Sequence, residues 1–508
     1  MIDPPSLLSK KKLNLLEQIN VENKSFFKWF LALTEIPHGS FHCTELSQKI
    51  QNWVKHFGFE PEVDSSNNIV VRIPSNIENN ETNLPTVGLQ AHIDMVLNGD
   101  IKIDQPVNVE IKEQDGVKVL ISPNSTLGAD DGFGVAIMLE IIESSNLFKH
   151  GPLELIFTTD EEPMLHGIRS LAPPPYLKFD YLFNLDSLNG NKIFVGCCGG
   201  IGVELKYELK CEPVSPDDFA FIRFNLKGLT GGHSGMNIGK GYASSITWVT
   251  RILLFLSEKN IPFRFVKIDA GGRLKNLIPT QFDAIIAVPK DMKDHTMNLI
   301  HEIHTRIMFE YFKIECTDFF SDNITIQDPQ AATVDDSKRF TDFLILLPNG
   351  VHRMSPQFPG TVQSSDSISL LYFDQGCLEL HFYMRSSCQS QLNLIMDSFY
   401  ALLRLFGEKY VIKVIDPYPA WEPKLRSKLA KIVQQVCKDK TNEEIELGLL
   451  EVGVEPAMFI EKGYKDAEIV SISPSIPLAH APGEWIGIEE AMKWRDIVHS
   501  SIEKLNKC

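Results

Sequence analysis

Long apolar runs are missing from this sequence. Nowhere do about eighteen apolar residues follow one another, so no segment reads as a membrane-spanning helix. The N-terminal stretch MIDPPSLLSKKKLNLLEQ lacks the apolar core and the small-residue cleavage site of a secretory leader. Cysteine is scarce: nine residues, odd in number and scattered, give no disulfide framework and fit a cytoplasmic protein with reduced thiols. The one adjacent pair, Cys197 and Cys198 in a GCCGG turn, has no CxxC partner, so it reads as structural and not as zinc-binding. Positive charge is in deficit as well. With 49 basic against 66 acidic residues and a net charge of −17, the chain has no case for tracking a nucleic-acid backbone. The glycine-rich GADDGFG contains neither GxGxxG nor GK[ST], and its carboxylates would repel phosphate, which excludes a nucleotide loop there.

What is present is an ordinary globular composition on a long chain. At 508 residues the sequence exceeds the size at which a single core keeps growing, so two or more domains are expected. Lys24–Glu35 and Glu45–Phe57 read as helices split by a PHGS turn, with Thr44 as cap and Gly58 as stop. Asn68–Arg72, Thr86–Ala91, Leu153–Thr158 and Tyr181–Leu185 are short and apolar, as buried strands are. Asp130–Glu143 opens with two aspartates and continues with apolar residues at helical spacing. Strands alternating with helices imply an α/β layer fold with a mainly parallel sheet. From about Lys206 the texture changes. Ala220–Leu226 and Leu378–Met384 alternate as strands with one solvated face, and GLTGGHSGMNIGKG leads into an apolar helix over Ser244–Leu256. The prolines of Asp416–Trp421 (DPYPAW) mark a return to α/β character. The expected organisation is one α/β domain, 1–206 and 414–508, interrupted by an α+β domain at 207–413, with the chemistry at their junction.

Acidic and histidine residues recur at the ends of the apolar strands. His92 follows TVGLQA, and Asp94, two residues on, points to the same side of an extended chain and is within reach of the imidazole. Asp130 and Asp131 stand between glycines at a helix start. Helix capping accounts for one of them, while a carboxylate in that place also suits bridging two metals. Asp160, Glu161 and Glu162 follow LELIFT. Three adjacent carboxylates repel one another unless solvent or cations intervene, and two neighbouring glutamates can divide the work of metal ligand and general base. Asp186 closes YLFNLD, and His480 sits in the proline-flanked loop PLAHAPGE. Ligand sites of open α/β sheets form at such strand ends. A set of imidazoles and carboxylates without thiolate suits catalytic zinc, with Mn²⁺ or Co²⁺ as substitutes.

At these residues the chain resembles the M20 family of metallopeptidases, and most of all its aminoacyl-histidine dipeptidase branch. The matches run in order through AHIDMV, STLGADDGFG, TTDEE, FNLDS, GCCGGI, LKGLTGGHSG, GGRLKNLIP, LLPNGV, YMRSS, PYPAW, GVE and SPSIPLAHAPGE. The resemblance implies two zinc ions per subunit. His92 and Asp186 would hold one, Glu162 and His480 the other, and Asp130 would bridge them; Asp94 would orient His92, and Glu161 would act as base and then acid. It further implies that 207–413 is a lid and dimerisation unit, making the protein a homodimer. His233 of GGHSG would stabilise the transition state. Asn276 of KNLIP and Arg385 of MRSS would hold the polar end of a small peptide, for which a guanidinium is apt. Glu455 of GVE would meet either a substrate amine or groups behind the ligands.

Three places depart from the branch pattern: Glu451 stands where the branch has histidine, Gly232–Asn237 reads GHSGMN, and PMLHG follows TTDEE. They bear on histidine preference and not on hydrolysis. The expected activity is cleavage of unblocked dipeptides, including Xaa-His or β-alanyl-histidine. The competing readings are another M20 activity, such as an aminoacylase or small-peptide carboxypeptidase, and an inactive binding or scaffold protein.

Overall fold

The computed structural model describes residues 8–22, 24–77, 84–272, 275–407 and 410–506. Residues 1–7 of the N-terminal stretch and Arg273 and Leu274 of GGRLKNLIP lie outside them. The chain divides into two units, Met1–Cys197 with Trp421–Leu450 and Val454–Cys508, and Cys198–Ala420 with Glu451–Gly453. The second unit begins at Cys198, and not at 207, because the strand Gly199–Glu208 pairs, among the described residues, with strands of that unit alone. Among the described residues no helix is long and apolar enough to cross a membrane.

The first unit opens with β1 (Pro61–Val63), β2 (Ile69–Ile73), β3 (Val87–His92), β4 (Leu153–Thr158), β5 (Tyr181–Asn184) and β6 (Lys192–Cys197). The second supplies β7 (Gly199–Glu208), β8 (Phe219–Lys227), β9 (Arg264–Gly271), β10 (Phe282–Pro289), β11 (Asp318–Ile324), β12 (Gly350–Met354), β13 (Val362–Asp374), β14 (Cys377–Ser386) and β15 (Tyr410–Tyr418). The chain then returns to the first unit with β16 (Glu446–Leu450) and β17 (Glu468–Ser471). The principal helices are α1 (Ser25–Leu33), α2 (Thr44–His56) and α3 (Ala129–Ser144) in the first unit, α4 (Ser245–Glu258), α5 (Lys293–Glu310), α6 (Val334–Leu346) and α7 (Gln389–Phe406) in the second, and α8 (Lys428–Thr441) and α9 (Ile488–Leu505) after the return. Thr44 stands inside α2 and not at its cap, and no side chain caps that helix.

The first unit's sheet runs β1-β2-β4-β3-β5-β17-β6-β16. Its middle is parallel, β3 with β4 and β5, and β5 with β17. Strand β2 joins β1 and β4 antiparallel. Strands β3 and β4 are buried at every residue, which is why VGLQAH and LELIFT read as near-continuous apolar runs. Helix α3 is buried over most of its length. It lies this close to the sheet because residue 134 is glycine: a Cβ there would come within 2.7 Å of the Ala91 and Leu185 side chains. Parallel strands bring their C-terminal ends to one edge, and there His92, the turn after Thr158 and Asp186 emerge.

The second unit carries an antiparallel sheet, β11-β8-β10-β9-β13-β14-β7-β15, with β12 added on β13. Its core lies on one face, where Ile222, Phe224, Ile286 and Phe373 of the strands meet Val249 and Leu253 of α4, Ile300 of α5, Phe343 of α6 and Phe399 of α7. Along β8, Ala220, Ile222, Phe224 and Leu226 face this core, Arg223 and Lys227 are exposed, and Phe221 joins a smaller apolar cluster with Val266 and Ala287.

Candidate metal centre

The first unit gathers the ligand candidates of the sequence. Ligand atoms of His92, Glu161 and Asp186 lie within 4.8 Å of one another, and so do those of His92, Asp130 and Glu162. The carboxylate of Asp130 stands between the two imidazoles. His92 Nε2 is 3.1 Å from Asp130 Oδ1, and His480 Nε2 is 2.8 Å from Asp130 Oδ2. His480 Nε2 is also 2.9 Å from Glu162 Oε1, and Asp186 Oδ2 is 3.9 Å from His92 Nε2.

The far nitrogen of His92 decides what this geometry asks for. Nδ1 lies 2.9 Å from the backbone oxygen of Asp94, which can only accept, so Nδ1 carries a hydrogen. The Nε2 lone pair then faces the oxygens of Asp130 and Asp186, acceptor against acceptor, unless a proton or a cation sits between them. The Asp94 carboxylate is 3.4 Å from Nδ1 and does more for the acidic turn: it accepts the N–H of Glu161 at 2.9 Å, that of Glu162 at 3.4 Å, and the Ser40 hydroxyl at 2.8 Å.

With the protein's own groups alone, protons fill the gap. Burial opposes charge on His92, yet bonds to Asp130 and Asp94 hold its pKa well above the usual imidazole value. His480 is likewise lowered by burial but raised further by Asp130 and Glu162, to about 11. Asp130 is pushed up by burial and pulled down more strongly by His480 and His92, ending below the ordinary range. Burial and Asp130 raise Asp186 and Glu162. Burial raises Glu161 well above the carboxylate range, with His92 opposing and Glu162, Glu455 and Asp130 adding to it.

Beneath the ligands lies a buried polar layer. Glu455, fully buried, accepts the Thr158 hydroxyl at 2.7 Å and the Gln90 amide, and the Gln90 oxygen accepts Asn184 Nδ2 at 2.7 Å. Burial raises the Glu455 carboxyl to about 7. Asp131 accepts the N–H of Gly134 at 3.0 Å, a capping contact, while its Oδ2 is buried without a hydrogen-bond partner among the described residues. The first amides of the α3 entry go elsewhere. Glu484, 1% exposed, accepts Leu127 N at 2.9 Å and Gly128 N at 3.4 Å through Oε2, and Ala129 N at 2.7 Å and Asp130 N at 3.4 Å through Oε1. Sequence reasoning assigned Glu484 no role. The available signal was its position four residues after His480, inside a loop already singled out.

His233, Asn276 and Arg385 belong to the second unit. Gly232–His233 pairs with Leu277–Ile278, and Ser234 N donates to Asn276 O at 2.7 Å, so His233 and exposed Asn276 share one small hairpin. His233 Nδ1 accepts the amides of Gly235 at 3.1 Å and Met236 at 3.2 Å, which puts its ring hydrogen on Nε2. Glu315 holds both ends of this loop, taking Thr230 N at 2.7 Å and Ala243 N at 2.9 Å. Arg385 is 6% exposed on β14. It donates from Nη1 to the Tyr418 hydroxyl at 2.8 Å and stands over the Tyr383 ring at 4.6 Å, while its buried Nε has no hydrogen-bond partner among the described residues. Tyr418, also missed in the sequence, lies between glycines: a Cβ at Gly453 would come within 2.2 Å of its ring, and one at Gly200 within 2.7 Å.

A family model described as peptidase family M20/M25/M40 matches residues 88–504. Over 465 residues the chain is 32% identical to the cytosol non-specific dipeptidase of Escherichia coli (strain K12), covering 91% of this chain and 93% of that one. The crystal structure of aminoacylhistidine dipeptidase from Vibrio alginolyticus superposes with a TM-score of 0.84 at 27% identity, covering 96% of this chain and 97% of that one. Aminopeptidase PepT from Bacillus cereus shares the fold, with a TM-score of 0.54 at 14% identity over 95% of this chain and 98% of that one.

Proposed function

The chain belongs to peptidase family M20/M25/M40, and on that premise we propose that it is a two-metal dipeptidase hydrolysing unblocked dipeptides, histidine-containing ones among them. The observation that carries this reading is the Asp130 carboxylate, one oxygen at each of two imidazoles drawn from distant parts of the chain. The donor set fits divalent zinc, manganese or cobalt: imidazoles and carboxylates, no thiolate, and lone pairs facing lone pairs where a cation would sit. In this assignment His92 and Asp186 hold one ion, Glu162 and His480 the other, and Asp130 serves both. When bound, such ions polarise the scissile carbonyl and lower the pKa of the attacking water.

The chain's own groups do the rest. Glu161 takes a proton from the attacking water as its oxygen adds to the peptide carbonyl carbon. The same carboxyl then gives that proton to the amine nitrogen as the C–N bond breaks. Its raised proton affinity suits both halves of the task. Asp94 fixes the Glu161–Glu162 backbone through two amides, which keeps base and ligand side by side. His233, with its hydrogen on Nε2, donates to the developing oxyanion. Arg385 and Asn276 take the substrate's carboxylate end.

The name of the Escherichia coli relative supports a cytoplasmic setting. A homodimer formed through the second unit is supported by β11, the end strand of its sheet, and by exposed Phe309, Phe312 and Phe320 near it. The test is hydrolysis of β-alanyl-histidine, Gly-His, Ala-Leu and an N-acetylated amino acid by metal-stripped protein given zinc, manganese or cobalt. Metal-dependent cleavage of the free dipeptides is expected. Cleavage of the acetylated compound alone would make the protein an aminoacylase, and two bound metals with no cleavage would make it a binding protein.

A further inference from the structure

Four consecutive amides open α3, and by ordinary helix chemistry they attract the nearest carboxylate. Glu484 covers all four, from Leu127 to Asp130, at 2.7–3.4 Å. Asp131 accepts Gly134 N at 3.0 Å as the side-chain cap of the turn that follows. Asp130, whose backbone angles are non-helical, is held through its own amide while its two oxygens face His92 and His480.

Glu484 also ties down the loop that carries His480. Its backbone oxygen accepts Ser122 N at 3.1 Å, and the neighbouring Gly483 N donates to Ser122 O at 3.0 Å and to Ser125 O at 3.2 Å. Glu484 N closes the loop on Ala481 O at 3.2 Å, and Asn98 Nδ2 donates to His480 O at 2.9 Å. One residue therefore joins the two regions, its carboxylate to the amides of Leu127–Asp130 and its main chain to the loop of His480.

We propose that Glu484 is a positioning residue of the metal centre, which fixes the Asp130 backbone, and with it the carboxylate, in register with His480. The proposal rests on the two-metal reading. Metal-stripped wild-type, E484Q and E484D proteins are titrated with Co²⁺, following heat and the visible cobalt spectrum, after circular dichroism has established folding. Replacing a group behind the ligands weakens binding by roughly 10- to 100-fold, so E484Q is expected to lose that much affinity with a shifted cobalt band. Turnover falls through kcat more than through KM, and E484D, which keeps a carboxylate, recovers part of both. A folded E484Q with wild-type affinity and spectrum overturns the proposal. If E484Q does not fold, E484D carries the same comparison with the same criteria. A wild-type protein that binds no cobalt overturns the two-metal reading instead, a result readily told apart.

Discussion

The two units are incomplete in opposite senses. The first collects the carboxylates of Asp130, Glu161, Glu162 and Asp186 around two imidazoles and fills the deficit of positive charge with protons. The second holds a buried guanidinium, Arg385, whose Nε has no hydrogen-bond partner among the described residues, beside a histidine fixed as a donor. On the proposed reading the first would take cations and the second the anionic end of a dipeptide. Each unit also uses a buried glutamate to brace backbone amides, Glu484 at the α3 entry and Glu315 at the two ends of the His233 loop. Charge in these braces is spent on geometry, which frees the neighbouring groups for chemistry.

The sharpest way to break the contrast is within the acidic cluster. On the proposed assignment Glu161→Gln removes a base and not a ligand, so kcat should fall by roughly 10²–10⁴-fold while metal content by elemental analysis stays at the wild-type level. Loss of metal there would move Glu161 into the ligand set. In the second unit, Arg385→Met should raise KM for free dipeptides about 10- to 100-fold, the size of a hydrogen bond to a charged group. Dipeptide amides should change little. An equal loss for both would show that Arg385 serves the fold and not the substrate.

Protons and metals compete for the first unit, which gives a pH signature. The His480 pKa is raised to about 11 in the folded chain, so its contribution to stability is complete below its unfolded value of about 6.5 and declines as pH rises through 11. If His480 is a ligand as proposed, metal binding displaces that proton, so affinity should climb over the same interval. Calorimetric zinc titrations between pH 6 and pH 8 should therefore tighten with pH, while the melting temperature of the metal-free protein moves the other way as far as His480 governs it. Affinity independent of pH would remove His480 from the ligand set. The mildest perturbation is Gly453→Ala. Its methyl collides with Tyr418, the partner of Arg385, and a cost of about 1–3 kcal/mol is expected in urea denaturation. A neutral result would mean that the tyrosine yields without consequence.

Much of this architecture is legible in the residues. Strands β3, β4 and β5 announce themselves by continuous apolar runs, and His92, Glu162 and Asp186 lie at or just after their ends, whereas Asp130 opens helix α3. Helix α5 carries Leu299, Ile300 and Ile303 at helical spacing, but histidines and charged residues on its solvent side dilute the pattern, and no element was expected there. The edge of the second unit falls at 198 because β7 belongs to a sheet whose partners lie beyond residue 370, a pairing no local pattern encodes. Glu455 admits two roles on paper, and nothing local in the sequence marks its full burial against Thr158 and Gln90. Glu484 was out of reach for a different reason: its partners are backbone amides 354–357 residues away, and amides leave no mark in a sequence.

Asp130 and His480 are 350 positions apart, and that interval is also a time. At about 5–20 residues per second of synthesis, on the order of tens of seconds separate the emergence of the two. During that time the whole second unit is made, while the amides of Leu127–Asp130 have no Glu484 and the first sheet lacks β16 and β17. On the proposed assignment, a metal ion arriving early would meet His92, Asp130, Glu162 and Asp186 without the residue that closes the set. The unit that begins the chain is therefore the last to be finished.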